Sequence, residues 1–303
     1  MNQKNIAVFG LGSMGMGIAR SCVQAELKTF GFDTNTEAVA HFTGFGGEVA
    51  TDIDLIASEL DIVIIVVVNA RQMDDILKIS PGLLDKLKPG AVVIGCPTVT
   101  PEYAQEIEAT LEYRDIFYLD SPISGGSVKA NQGALTIMAS GKPQAFDAAR
   151  LALDAISEKV YELGDHAGPG SAMKVVNQLL AGVHIAAAAE AMTFGIRQGI
   201  DAASILDVIS DCAGTSWMFE NRGKHIVDGD YAPHSSVEIF VKDLGIVNDI
   251  ARASRSYTPL ASAALQEFLA ASGSGIGHED DSAVAKIYAR NSNVQLPGQS
   301  EQK

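Results

Sequence analysis

Glycines 10, 12 and 15 stand in the run Ile6-Ala-Val-Phe-Gly10-Leu11-Gly12-Ser13-Met14-Gly15. An apolar tetrad precedes them and a helix-forming stretch follows. In that setting a GxGxxG pattern is a phosphate cradle. Gly10 permits the tight turn, Gly12 removes the Cβ that would block a pyrophosphate, and Gly15 lets helix and strand pack closely. The pyrophosphate would rest on the helix N-terminus, where N–H groups and the dipole favour negative charge. Asp33 ends the second strand about 20 residues on, as the fingerprint requires. Its carboxylate accepts hydrogen bonds from ribose hydroxyls and repels a 2′-phosphate. The following Thr34-Asn35-Thr36 offers no Arg to hold one, so NAD is expected rather than NADP. Val68-Asn69 and Cys96-Pro97-Thr98 follow later strands and should line the same crevice. Thr98 is placed for the nicotinamide half, or else caps the helix opening at Pro101.

Two further clusters suit a hydroxy acid. In Asp120-Ser-Pro-Ile-Ser124-Gly125-Gly126-Ser, two glycines flanked by serines can present several N–H groups to a carboxylate, or simply form a turn. In Gly168-Pro-Gly170-Ser-Ala-Met-Lys174-Val-Val-Asn177-Gln178, Lys174 enters an otherwise apolar helix and Asn177 follows at i+3 on the same face. A lysine there is costly unless paired or functional. Desolvation favours its uncharged amine, which suits a base that takes a hydroxyl proton as a hydride leaves carbon. A structural ion pair is the alternative. Trp217, the only tryptophan, could wall a polyol pocket with Ser216 or Asn221, or pack as an interdomain aromatic.

The elements that must position these residues alternate at first. Strand-like Ile6–Phe9, Lys28–Asp33, Ile62–Val68, Ala91–Gly95, Phe117–Asp120, Leu135–Ala139 and Val160–Leu163 are separated by helical Ser13–Gln24, Asp74–Leu87 (broken at Pro81-Gly82), Pro101–Leu111 and a helix after Pro143. That alternation predicts a doubly wound, mostly parallel sheet of Rossmann type over 1–166. After Gly164 no strand is legible. A long apolar helix over about 171–198 opens an all-helical domain, 167–292, with Ala202–Ser210, Trp217–Lys224, Val237–Arg255, Pro259–Ala271 and Asp281–Ala289. On Val237–Arg255, Ile239, Val241, Leu244, Val247, Ile250 and Ala251 fit one stripe. Residues 293–303 read as a polar, frayed tail. His184, Met192 and Phe194 read as core, and Glu279-Asp280-Asp281 as an acidic first helical turn.

Composition narrows the function classes. The 303-residue chain is 47% hydrophobic with net charge −15, a globular composition that does not advertise a nucleic-acid or anionic-membrane surface. Ile62–Val68, the longest aliphatic run, falls far short of the ~18 residues that span a bilayer. No signal peptide is expected. Cys22, Cys96 and Cys212 are odd in number and far apart, so neither a disulfide framework nor a metal site is expected; buried free thiols in a reducing cytoplasm are. The long helix is too apolar for one small domain to cover, which predicts a homo-oligomer, dimer or tetramer, with this helix at the contact.

Taken together, Gly10–Gly15, Asp120–Gly126, the Lys174/Asn177 helix start and Phe240-Val-Lys242-Asp243-Leu244 resemble the β-hydroxyacid dehydrogenase family of 3-hydroxyisobutyrate dehydrogenase-like enzymes. The resemblance spans most of the chain. It implies that Lys174 is the catalytic lysine, that Ser124, Gly125 and Gly126 bind the substrate carboxylate, and that Asn177 orients the substrate. It implies also that Lys242 reaches back to the cofactor site, and that Gln178 stands where several relatives carry Asn. Cys96-Pro97-Thr98 departs from the Ser-rich start of relatives. The stretches Gln178-Leu-Leu-Ala-Gly-Val-His-Ile-Ala, Ser216-Trp-Met-Phe-Glu-Asn-Arg222, Val227-Asp-Gly-Asp-Tyr and Glu279-Asp-Asp-Ser-Ala-Val resemble one branch of that family, and the resemblance implies oxidation of the C2 hydroxyl of a four-carbon sugar acid, L-threonate, with NAD. Tartronate semialdehyde reduction and 3-hydroxyisobutyrate oxidation are the alternatives within the family. A silent nucleotide-binding protein is the alternative outside enzymes, and Lys174 argues against it.

Overall fold

The computed structural model describes residues 4–50, 52–79 and 83–298, so the helix break at Pro81-Gly82 lies outside the described residues. The chain forms two compact units, Met1–Lys174 and Val175–Lys303. The division falls inside the long helix rather than before it at 166, because the helix's first turn is hydrogen-bonded to the first unit.

In the first unit, β1 (Asn5–Phe9), β2 (Lys28–Phe32), β3 (Ile62–Ile65), β4 (Val92–Gly95) and β5 (Phe117–Asp120) make a parallel sheet in the order β2-β1-β3-β4-β5. Both faces are covered, so β3 and β4 are buried at every position, which is why they read as unbroken aliphatic runs. Side chains alternate between two cores. Ile6, Val8, Ile64 and Ile94 pack with Ile18 and Ile156 on one face; Ala7, Val63 and Val93 pack with Met73 and Ile107 on the other. Helices α1 (Gly15–Gln24), α2 (Thr36–Gly44), α3 (Ala70–Asp74), α4 (Leu83–Lys86) and α5 (Pro101–Glu112) supply the crossovers. A π-helical turn, Asp75–Ile79, continues α3.

The sheet then departs from one continuous winding. β6 (Ile123–Ser124) pairs antiparallel with β7 (Leu135–Ala139), and β7 pairs parallel with β8 (Ser157–Glu162), giving a second, three-stranded sheet. Helices α6 (Gly126–Asn131) and α7 (Pro143–Ile156) lie between these strands in sequence. β6 and α6 went unread because two strand residues and six helical ones carry no period.

The long helix α8 runs from Pro169 to Arg197. By length and composition it is apolar enough to cross a membrane, with mean hydropathy 1.6, yet half of that stretch is buried inside the chain. Its inner face, Ala181, Ile185, Ala189 and Met192, joins the second unit's core. A Cβ added to Gly182 would meet Leu244 at 2.9 Å, so small residues let the helices approach. Phe194, read as core, is instead 66% exposed, and Met173, Val176 and Leu180 are exposed too. These four follow the outer stripe of the helix, and His184 is half-buried.

The second unit continues with α9 (Ala202–Ser210), α10 (Trp217–Asp228), α11 (Val237–Ser254), α12 (Pro259–Ala271) and α13 (Ala285–Ser292). Phe240 and Phe268 stack at 5.2 Å in its centre. The buried stripe of α11 is Val237, Phe240, Leu244, Val247 and Ala251. Ile239, Val241 and Ile250 flank it, half-buried. The acidic triplet before α13 is not a solvated turn. Asp281 is fully buried and paired with Arg222, at 2.5 Å to Nε and 2.9 Å to the terminal nitrogen. Burial pushes its carboxyl up to about 6 against the pull of Arg222. Asp280 caps the 3-10 turn over Asp281–Val284. Nor is 293–298 frayed: Leu296 is 2% exposed within the core.

Cys22 and Cys96 are buried, as expected, but Cys212 is exposed. Burial raises the Cys22 thiol to about 12, and burial together with the neighbouring Asp120 charge raises Cys96 to about 12. A thiol that stays protonated and covered does not react. Titration with a disulfide reagent at neutral pH is therefore expected to find one reactive thiol per native chain and three after denaturation. Three rapid thiols in the native protein would contradict this packing.

Candidate active site

The glycine loop answers to three separate constraints. Gly10 has φ +88, and a Cβ there would lie 2.2 Å from the Val66 carbonyl oxygen. A Cβ on Gly15 would lie 1.8 Å from the Gly10 carbonyl oxygen, so α1 begins directly against the turn. Gly12 meets nothing within 4 Å of an added Cβ. This is an opening in the wall and not a packing need. The helix starts after Met14 with no side-chain cap, so no side chain competes for its first-turn N–H groups. Asp33 Oδ2 accepts from the Leu11 N–H at 2.6 Å and Oδ1 from the Asn35 N–H at 2.8 Å. A carboxylate has about four lone-pair sites, so both oxygens can still accept from ribose hydroxyls. The opening at Gly12, the uncapped helix start and Asp33 fit a dinucleotide.

The residues after β3 and β4 have local duties as well. Asn69 caps α3 by accepting from the Gln72 N–H at 2.9 Å, while Gln72 Oε1 accepts from the Val68 N–H at 2.8 Å. Val68 is itself 44% exposed. The helix opening at Pro101 is capped by Thr100, whose hydroxyl accepts from the Tyr103 N–H at 3.2 Å. Thr98 is therefore not that cap; it is half-buried two residues earlier.

The structure brings Lys174 to the glycine-serine loop. Lys174 is 9% exposed, and its Nζ donates to the Ile123 carbonyl oxygen at 2.9 Å. Ile123 directly precedes Ser124, which ends β6. Gly125 and Gly126 follow with φ +134 and +70, a pair of conformations that residues with a Cβ rarely adopt. A Cβ on Gly126 would meet nothing within 4 Å. An amine and an open, N–H-bearing loop thus share one locality within the first unit.

In the second unit, Asn177 Nδ2 donates to Gln178 Oε1 at 2.8 Å. Gln178 Nε2 donates in turn to Asp243 Oδ2, and the Lys242 ammonium pairs with Asp243 Oδ1. Three residues singled out in the sequence are thus joined through one that was not. The available signal was Asp243 itself, an acid on the buried stripe of α11 between Phe240 and Leu244. Trp217 is not brought into this cluster by any described contact. It opens α10 and is 60% exposed, so it is not a packed aromatic.

Residues 5–164 match the family described as the NAD binding domain of 6-phosphogluconate dehydrogenase, and residues 168–288 that of NADP-dependent 3-hydroxyisobutyrate dehydrogenase. The L-threonate dehydrogenase of Pectobacterium atrosepticum is 48% identical over 98% of this chain and 97% of its own length. That of Cupriavidus necator is 46% identical over 98% and 99%. A crystal structure of 3-hydroxyisobutyrate dehydrogenase from Salmonella typhimurium superposes with TM-score 0.90 at 49% identity, covering 94% of this chain and 100% of that one.

The glycine geometry separates two substitutions. Gly12→Ala is expected to leave the melting temperature unchanged and to weaken NAD binding about tenfold or more, since the added methyl fills the pyrophosphate's place. Gly15→Ala forces backbone apart and should also cost about 3 kcal/mol, lowering the melting temperature by several degrees. Calorimetric NAD titration and thermal melts of both variants check this. Equal melting temperatures for the two would refute the assignment of their separate roles.

Proposed function

The chain belongs to the 3-hydroxyisobutyrate dehydrogenase-like family of NAD-dependent β-hydroxyacid dehydrogenases, and from that premise we propose that it oxidises L-threonate at C2 to the 2-oxo acid, with Lys174 as general base. The observation that carries the chemistry is the buried Lys174 amine beside the Ser124-Gly125-Gly126 loop. The L-threonate dehydrogenases, 46–48% identical over nearly the whole chain, support the substrate.

Bound NAD supplies the hydride acceptor. Asp33 holds the adenosine ribose, and the Gly10–Gly15 loop, with Val68, Asn69, Thr98 and Lys242, completes its seat. The carboxylate of the substrate is held by the Ser124 hydroxyl and the N–H groups of Gly125 and Gly126. This local donor set works against the chain's net charge of −15. The Lys174 amine, steadied by the Ile123 carbonyl, takes the proton of the reacting hydroxyl and returns it in the reverse direction. Asn177, one turn along the same helix, orients the substrate, and Gln178 and Trp217 are the further substrate-binding candidates. The second reading, oxidation of 3-hydroxyisobutyrate, has in its favour the Salmonella structure of that name at 49% identity.

We read the outer stripe of α8, Met173, Val176, Leu180 and Phe194, as the contact of a homo-oligomer, because an exposed apolar row of this length is costly in water. The three unpaired cysteines fit a reducing cytoplasm.

Initial rates of NADH formation across L-threonate, 3-hydroxyisobutyrate and L-serine, with tartronate semialdehyde assayed in reverse, test the substrate; L-threonate is expected to dominate. Lys174→Ala should lower kcat about 10²–10⁴-fold while the Kd for NAD is kept. Full activity in that variant would remove Lys174 as the base, and turnover confined to the semialdehyde would remove L-threonate. Sedimentation at micromolar concentration is expected to show a dimer or tetramer. A monomer would remove the oligomer reading.

A further inference from the structure

The relay Lys242–Asp243–Gln178–Asn177 has a fixed direction. A carboxylate can only accept hydrogen bonds. Asp243 is 2% exposed, with Oδ1 on the Lys242 ammonium and Oδ2 on Gln178. Gln178 must therefore turn its Nε2 to Asp243 and its Oε1 the other way. Asn177 must then offer Nδ2 to Gln178, which leaves Asn177 Oδ1 outside the relay. Reverse the relay and that oxygen would be drawn in, leaving Asn177 with donors only.

We propose that Asp243 is a positioning residue that, through Gln178, makes Asn177 present an acceptor oxygen to a second hydroxyl of the substrate. This rests on the reading that Lys174 and Asn177 face the substrate. Lys174 takes the proton of the reacting hydroxyl, so that hydroxyl cannot also donate to Asn177. Asn177 stands one turn along the helix from Lys174, on the same face, so its Oδ1 is set to meet a hydroxyl other than the one that Lys174 deprotonates. The substrate class that matches is a 2,3-dihydroxy acid, and the discrimination comes from the acceptor of the half-buried Asn177 being left unpaired when that hydroxyl is missing.

The test compares L-threonate with (2R)-2,4-dihydroxybutanoate, which keeps the C2 configuration of L-threonate and lacks only the 3-hydroxyl, in the wild type, Asp243→Asn and Gln178→Leu. In Asp243→Asn the Lys242 ammonium claims the single carboxamide oxygen, so an NH₂ faces Gln178 and the relay reverses. Gln178→Leu cuts the relay while keeping the Asp243–Lys242 pair, and so covers the case in which the first variant does not fold. The wild type is expected to favour L-threonate at least about tenfold in kcat/KM, which is about 1.4 kcal/mol. Gln178→Leu should bring the ratio close to one, mainly through a higher KM for L-threonate; Asp243→Asn, which leaves an Asn177 N–H that the 3-hydroxyl oxygen can accept from, should lower it part of the way. In Gln178→Leu the Kd for NAD should stay in place, and the melting temperature should fall by a few degrees, because Asp243 Oδ2 loses its donor. A ratio retained in Gln178→Leu, or a wild type indifferent to the 3-hydroxyl, overturns the proposal while leaving Lys174 as base. A wild type that oxidises neither acid overturns the proposed function with it.

Discussion

The carboxylate of Asp120, at the end of β5, accepts four hydrogen bonds: from the Gly168 N–H at 3.0 Å, the Ser171 N–H at 2.8 Å, the Ser171 hydroxyl at 2.6 Å and the Ser140 hydroxyl at 3.3 Å. It is buried, and burial raises its pKa above the ordinary range while those donors pull it back. Hydrogen bonds to a charged group contribute about 1.5–3 kcal/mol each, enough together to offset the several kcal/mol that burying an ion costs. The geometry leaves no slack. A Cβ on Gly170 would lie 2.6 Å from both the Asp120 and Met138 carbonyl oxygens. Gly168-Pro169-Gly170, which looks like a linker in sequence, is a fitted collar. It sets where α8 begins, and Lys174 sits one turn further on. The position of the amine therefore depends on a strand end 54 residues away in sequence, through one buried carboxylate.

What was legible in the sequence was what a single local rule decides. Gly10 and Gly15 have no room for a Cβ, and Gly12 opens onto space, so their spacing carries the loop's geometry. β3 and β4 are buried on both faces, with β1 and β5 on either side of them, so aliphatic runs mark them. The residues misread depend on partners far along the chain. Asp281 reads in sequence as part of an acidic first helical turn, and it does stand in the first turn of Asp281–Val284. Only Arg222, 59 residues earlier, makes it a buried ion. Asp243 carries a local signal only in its place among Phe240, Leu244 and Val247, which marks a buried acid in need of donors.

Boundaries failed for a related reason. The cap of α5 went to Thr100 rather than Thr98 because an N-cap hydroxyl must reach the N–H three residues on, and Thr100 alone stands that far before Tyr103. Phe194 and Cys212 were placed inside on composition alone, but hydrophobicity is a one-way rule. Phe194 falls on the outer stripe of α8 once the helix phase is set by Ile185, Ala189 and Met192.

Buried charge is the economy that the two units share. Asp120, Asp243 and Asp281 are each at most 2% exposed in a chain already carrying a net charge of −15. Each is held by donors from a different part of its own unit, so each acts as a positional lock and not as a source of bulk stability, which buried ion pairs seldom give. The direction matters as much as the strength. An acid has no proton to offer at neutral pH, so every group facing it must donate, and an amide made to donate at one end must accept at the other. Two of these locks bear on α8: Asp120 on its first turn and Asp243 on Gln178. A buried lysine amine and a hydrogen-bonded amide thus occupy i and i+3 of one helix whose start is fixed by one carboxylate and whose polar side chains are aligned by another.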